Sequence, residues 1–188
     1  DGIPGLIVDV YNGVFVLQIS TPGIEQRKEQ ILSYLIKECS PRAVFEKSTS
    51  ALRRREGLSE QKQHLYGDSS PQVDLLENGL AFSVHVLEGQ KTGLFLDQRE
   101  MRAQIRSLSS QKRVLNCFSY TGGFSIAALA GGASFVDSVD ISAKCGPTLN
   151  RNLDLNQFSQ EKHRFIAGDA IDFIIEQPLN YDLVILDP

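Results

Sequence analysis

Tryptophan is absent from this sequence, methionine occurs once, and no apolar run approaches the roughly 18 residues that a membrane-spanning helix needs. The opening Asp1-Gly2-Ile3-Pro4 lacks the basic-then-apolar order of a secretory signal. Together these absences lead to the expectation of a soluble, cytoplasmic protein with no membrane contact. Cysteine is scarce as well: Cys39, Cys117 and Cys145 are odd in number, scattered and without a C-x-x-C pair, which excludes a disulfide framework or a zinc site. His64, His85 and His163 are isolated, read as surface or strand residues, and receive no catalytic role. Positive charge is short, and a formal net charge of -4 argues against wrapping nucleic acid over the whole surface. Any RNA contact has to be local. The densest basic run, Arg53-Arg54-Arg55, with Arg42, Lys47 and Lys62 near it in sequence, reads either as such a contact or as a solvated loop. An initiating methionine is missing and the last strand stops with nothing to cover its far side, so a piece of something longer is expected.

What is present divides in two. At 188 residues, 41% of them hydrophobic, the chain can bury one core or two. Leu6 to Val10 and Val14 to Ile19 read as strands around Asn12-Gly13, a strong hairpin signal. Thr21-Pro22 opens a helical stretch with Ile24, Ile31, Leu32, Leu35 and Ile36 at near-helical spacing, ending near Cys39-Ser40-Pro41. Ala43 to Glu46 reads as a strand, Glu56 to Pro71 as a loop, and Leu75 to Val86 as a second hairpin around Asn78-Gly79. Residues 1–90 are therefore expected to form a small α+β domain. Residues 91–188 form the second part, and from Arg113 onward strand and helix alternate, as βαβ units on a parallel sheet do. The predicted strands are Arg113 to Cys117, Ser134 to Val139, Arg164 to Ala167 and Asp182 to Leu186. The predicted helices are Gly122 to Ala130, Ser142 to Asn156 and Asp169 to Glu176, with Ser142 and Asp169 as N-caps.

In such sheets ligands bind where strand carboxyl ends meet helix N-termini. The first strand runs into Phe118-Ser119-Tyr120-Thr121-Gly122-Gly123, where Phe118 and Tyr120 replace the small residues that a pyrophosphate turn requires. A cofactor without phosphates, such as S-adenosylmethionine, needs only a tight turn; a structural turn with two core aromatics fits this motif equally well. Asp140, about twenty residues beyond, suits the two ribose hydroxyls, with a helix-dipole acid as the alternative. Asp169 and Ala170 follow the third strand, where they could read an adenine edge or simply cap a helix. Asp187-Pro188 ends the fourth. The ordered set is far more specific than any member.

These residues resemble the 23S ribosomal RNA cytosine-5 methyltransferases, which join an RNA-binding PUA domain, a small middle domain and a class I methyltransferase domain. The likeness rests on Asp1 to Leu6, Arg54 to Gly57, Lys91 to Arg99, Val114 to Phe124 and Leu186-Asp187-Pro188, and covers almost the whole chain. It implies a Rossmann-like methyltransferase sheet, truncated after its fourth strand and preceded by the small α+β domain. It implies S-adenosylmethionine as cofactor, with Thr92, Gln98 and Arg99 folding over it. Phe118, Ser119, Tyr120 and Gly122 would hold the methionine part, Asp140 the ribose, Asp169 with Ala170 the adenine, and Asp187 the target base, with Ile141 and Asp187 also among the cofactor contacts. It implies ribosomal RNA as partner, for which Arg53, Arg54 and Arg55 are the candidate contacts; a homodimer stays open. The family's nucleophilic cysteine lies downstream of Asp-Pro-Pro, and Cys117 reads as a small buried thiol rather than its substitute. No PUA domain is found within the sequence. A guanine-methylating relative, an inactive binding fragment and a nicotinamide oxidoreductase are the alternatives, the last disfavoured by the missing Gly-x-Gly turn.

Overall fold

A computed structural model describes residues 2–176 and 180–188; Asp1, the first residue of the opening signature, lies outside them. Contacts divide the chain into two units, Asp1–Leu75 with Val84–Leu94, and Leu76–Ser83 with Phe95–Pro188. The sequence boundary after residue 90 falls inside the returning segment of the first unit. No helix among the described residues is long and apolar enough to cross a membrane.

In the first unit, β1 (Leu6–Tyr11) and β2 (Val14–Ile19) pair antiparallel with Tyr11 opposite Val14. That register leaves a two-residue loop, and Asn12 and Gly13 take the positive φ values, 47° and 79°, that such a loop demands. β3 (Ala43–Ser48) runs parallel to β2, so the chain must cross over, and α1 (Pro22–Glu25) and α2 (Lys28–Cys39) make the crossing. A single helix was expected there. It is broken at Gln26 and Arg27, and the restart brings Lys28 to 2.8 Å from Glu25 and 3.0 Å from Glu46, a fully buried carboxylate on β3.

Two further segments correct the expectation of a loop at 56–71 and of a solvated arginine run. β4 (Gln61–Gly67) pairs antiparallel with β3 and forms the sheet's edge, in the order β1-β2-β3-β4. An edge strand needs no apolar alternation, and the polar Gln61 to His64 gave none to read. α3 (Ala51–Arg55) is capped by Ser50, whose hydroxyl accepts from the Arg53 N–H.

A second Asn-Gly turn joins β5 (Gln72–Glu77) to β6 (Leu80–His85), again with both φ values positive. The hairpin's tip belongs to the second unit, where Arg102 grips Glu77 through two bonds of 2.6 and 2.7 Å. Asn156 pairs with both backbone groups of Ala81, at 2.9 and 2.7 Å, as a neighbouring strand would.

The second unit is built on a parallel sheet in the order β10-β7-β8-β9, from β7 (Arg113–Cys117), β8 (Phe135–Asp140), β9 (His163–Ala167) and β10 (Leu183–Leu186). The connecting helices are α5 (Gly123–Ala130), α6 (Cys145–Leu155) and α7 (Ala170–Glu176), with α4 (Arg99–Leu108) ahead of β7. This is the Rossmann-like α/β arrangement that the alternation predicted. Leu115, Cys117, Val139 and Ala170 form one buried cluster, and burial pushes the Cys117 thiol pKa up, in keeping with an inert core thiol. One cap differs: α6 starts at Cys145 behind Lys144 rather than at Ser142, whose N–H donates to Asp140.

Candidate functional site

Register aligns the carboxyl ends of the strands. Leu186 faces Cys117, Cys117 faces Val139, and Asp140 faces Ala167, so the segments that follow each strand emerge at one edge of the sheet. At that edge the bend after β7 is tightly wound. Phe118, Tyr120 and Gly122 all have positive φ, 57°, 47° and 82°, a conformation that non-glycine residues hold only when their surroundings impose it.

The imposing groups are specific. The Ser119 N–H donates to the Val139 carbonyl at 2.9 Å, and the Tyr120 N–H donates to Asp140 Oδ2 at 2.8 Å. The other oxygen of Asp140 accepts from the Ser142 N–H at 2.8 Å. Asn152 on α6 donates to the Thr121 carbonyl at 2.9 Å. At Gly122 any Cβ would come within 2.7 Å of Leu149 Cγ, so a side chain there would be both strained and obstructed. Asp140 thus fastens the bend to β8; Oδ1 also accepts from the Cys145 thiol at 3.9 Å, while Oδ2 keeps a further lone-pair direction.

Asp169 accepts from the N–H groups of Ile171 and Asp172 and caps α7 as expected. Ala170 is buried beneath it, Ile141 is largely exposed, and Asp187 is exposed just beyond the end of β10. Gln98 ends a 3-10 turn, Leu96–Gln98, and Arg99 opens α4 with a bond of 3.3 Å to Asn78. Phe95, which sequence reasoning passed over, packs edge-on against Tyr120 at 5.8 Å and so sets this segment beside the bend. Thr92 belongs to the first unit, where its hydroxyl lies 2.6 Å from both Tyr11 and Asp9.

The arginine run needs correction. Arg53 is 1% exposed and donates to Glu25, Ile19 and Ser59, so it is not available to RNA. Its partners Glu25 and Glu46 lie far away in sequence, which is why the run looked solvated. Arg54 is exposed and paired with Glu60 at 2.7 Å, and Arg55 is exposed.

Two buried side-chain atoms among the described residues lack a hydrogen-bond partner, Ser119 Oγ in the bend and Asn116 Oδ1 on β7. An unmatched buried polar atom costs about 1–3 kcal/mol, so one in the bend and one on the strand leading into it match a site built for polar contacts from a bound molecule. A parallel sheet with an aromatic-flanked glycine bend and a strand-end carboxylate defines a nucleoside-binding α/β protein. The profile of the family described as S-adenosylmethionine-dependent methyltransferase matches residues 9–188, and the chain belongs to that family.

A relative named ribosomal RNA large subunit methyltransferase I, from Vibrio parahaemolyticus, is 42% identical over 195 residues, covering 100% of this chain and 49% of its own length. The chain spans about half the length of the curated relatives it matches. Among solved structures, a Streptococcus mutans protein described as a SAM-dependent methyltransferase superposes with a TM-score of 0.86 at 29% identity, covering 98% of this chain and 48% of that one. Another methyltransferase structure, determined with SAH bound, gives 0.85 at 28% identity over the same shares, 98% and 48%. The bend, the Asp140 carboxylate and the unpartnered Ser119 hydroxyl fit such a cofactor.

Proposed function

We propose that this chain is the cofactor-binding part of a methyltransferase that modifies C5 of a cytosine in large-subunit ribosomal RNA, in a protein that also carries a PUA domain. The observation that carries the reading is the Asp140 lock on the Phe118 to Gly122 bend beside an unsatisfied Ser119 hydroxyl. The relative's name supports the RNA class.

In this reading Phe118, Ser119, Tyr120 and Gly122 hold the amino-acid end of S-adenosylmethionine. Asp140 and Ile141 take the ribose, Asp169 and Ala170 the adenine, and Gln98 and Arg99 close over them; Thr92 drops out, being 1% exposed with its hydroxyl committed to Tyr11 and Asp9 within the first unit. The bound cofactor supplies an electrophilic methyl group on a sulfonium. Asp187 orients the target base, which must be unstacked at a cost of about a few kcal/mol. Arg54 and Arg55 remain as RNA contacts. Attack on C6 of a cytosine needs a thiolate. Neither buried thiol here is suited to that attack, because burial raises the pKa of both Cys117 and Cys145, and the nearby Asp140 adds to the second.

Calorimetry with S-adenosylhomocysteine tests the site, with binding to the wild-type chain and a loss of about tenfold or more in Asp140→Asn expected. The amide would set a donor against one of the backbone N–H groups. Absence of binding to wild type, or equal affinity for NAD, would overturn the cofactor assignment. For the base, nucleosides of large-subunit RNA from cells lacking the gene should show one 5-methylcytidine lost. A missing methylguanosine instead would defeat the cytosine reading.

A further inference from the structure

A chain of buried side chains crosses the second unit's sheet and ends at one of the two unpartnered atoms. Asn116 Nδ2 on β7 donates to Ser125 Oγ on α5 at 2.8 Å, Ser125 Oγ lies 2.6 Å from Ser138 Oγ on β8, and Ser138 Oγ lies 2.8 Å from His163 Nε2 on β9. Asn116, Ser125 and Ser138 are 1%, 0% and 0% exposed and His163 8%, so solvent does not compete for their protons.

Each hydroxyl carries one proton. With Asn116 donating to Ser125, every hydroxyl proton finds an acceptor within the chain only if Ser125 donates to Ser138 and Ser138 donates to an unprotonated His163 Nε2. The imidazole proton must then sit on Nδ1, and Asn116 Oδ1 is the atom left free. In the reversed arrangement Nε2–H donates to Ser138, Ser138 to Ser125, and Ser125 to Asn116 Oδ1, leaving the amide NH2 free. Mixed arrangements strand a buried hydroxyl proton at about 1–3 kcal/mol. The imidazole tautomer and the amide orientation are therefore two ends of one choice.

We propose that His163 is a positioning residue: as the Nδ1–H tautomer it fixes Asn116, two residues before the bend on β7, with Oδ1 free as a hydrogen-bond acceptor for the ammonium of the cofactor's amino-acid end. This rests on the cofactor reading above. An acceptor with no proton of its own takes an ammonium and rejects a carboxylate, whereas the Ser119 hydroxyl three residues on accepts either. Burial, opposed by Asp137, lowers the His163 pKa to about 4, so the ring stays neutral and able to accept at neutral pH.

The direct test is long-range proton–nitrogen NMR of the ¹⁵N-labelled chain at neutral pH. It should show His163 protonated at Nδ1; a proton on Nε2 would overturn the proposal without reference to any variant. In Asn116→Asp the new side chain accepts at both ends, so the chain must reverse and the His163 proton move to Nε2; an unmoved tautomer would count against the coupling. Calorimetry separates the ligand's part. Asn116→Leu should weaken S-adenosylhomocysteine about tenfold or more, yet leave 5′-methylthioadenosine, which lacks the ammonium, within about twofold. Equal weakening of both ligands, or of neither, would overturn the assignment of Asn116. If neither ligand binds wild type, the cofactor reading falls instead, and the tautomer result still decides whether the relay exists.

Discussion

Arg53 illustrates how far a residue's role depends on partners remote in sequence. Its guanidinium lies 2.7 Å from Glu25 and 3.9 Å from Glu46, the second carboxylate fully buried and also bonded to Lys28, Ser48 and Gln63. Burial alone would raise the Glu25 pKa, yet hydrogen bonds from Arg53 and Lys28 leave it lowered. Removing one member of a buried pair leaves the other charged and unmatched, so Arg53→Ala should cost about 3–5 kcal/mol in urea unfolding. Arg55→Ala, two residues on and exposed, should stay within about 0.5 kcal/mol. A result in which the two variants matched would show that the network is not intact in solution. The triplet Arg-Arg-Arg said nothing of this difference, because side-chain burial is decided by the sheet that α3 lands on. Asn116 and His163 were equally silent. Their connection runs through two serines on different elements, and no spacing rule links them.

At the level of elements, legibility followed amphipathic signal. β7, β8, β9 and their helices could be read because apolar runs alternate with turn residues, and both hairpins were announced by Asn-Gly. β4 and α3 were hidden, since a polar edge strand and a short arginine-rich turn have the composition of a loop. The break between α1 and α2 was hidden too, because the apolar spacing continues through it while the backbone does not. Close approach of elements is likewise invisible until glycines are placed. At Gly131, where α5 ends, an added Cβ would stand 2.0 Å from the Arg106 carbonyl of α4, and that obstacle is backbone that cannot rotate away. Gly131→Ala should therefore push α4 aside and cost about 1–3 kcal/mol, read as a lowered midpoint of thermal unfolding. An unchanged midpoint would mean that α4 and α5 pack less tightly than described.

For the molecule as a whole, the alkaline side of the stability curve is the informative one. Lys47 is 4% exposed on β3 and its ammonium donates to the Gly89 carbonyl in the returning segment of the first unit. Burial, then the facing Lys62, lowers its pKa to about 8, with Glu88 opposing. Folding thus favours the neutral amine. Between about pH 8 and the ordinary lysine value of 10.5 the unfolded chain binds the extra proton, so the contribution of this group to stability should rise with pH across that window. The gain is on the order of 3 kcal/mol; the raised thiol pKa values of Cys117 and Cys145 act with the opposite sign above about pH 9, so it is read as the difference between wild type and Lys47→Met in urea midpoint against pH. Parallel profiles in the two proteins would show the ammonium to be better solvated than its burial implies.

The two Asn-Gly turns also set how this protein ages. A glycine N–H has little around it to hinder attack on the preceding asparagine's side-chain carbonyl, and the resulting succinimide opens mainly to isoaspartate, which lengthens the main chain by one methylene. In a two-residue loop there is no slack for that atom, so repair of the turn by simple relaxation is not available. Asn12 is restrained by its bond to the Asp74 carbonyl, and Asn78 by Arg99, with Arg106 on its carbonyl. Stored preparations should consequently drift toward a more acidic species first at whichever of these tethers loosens sooner.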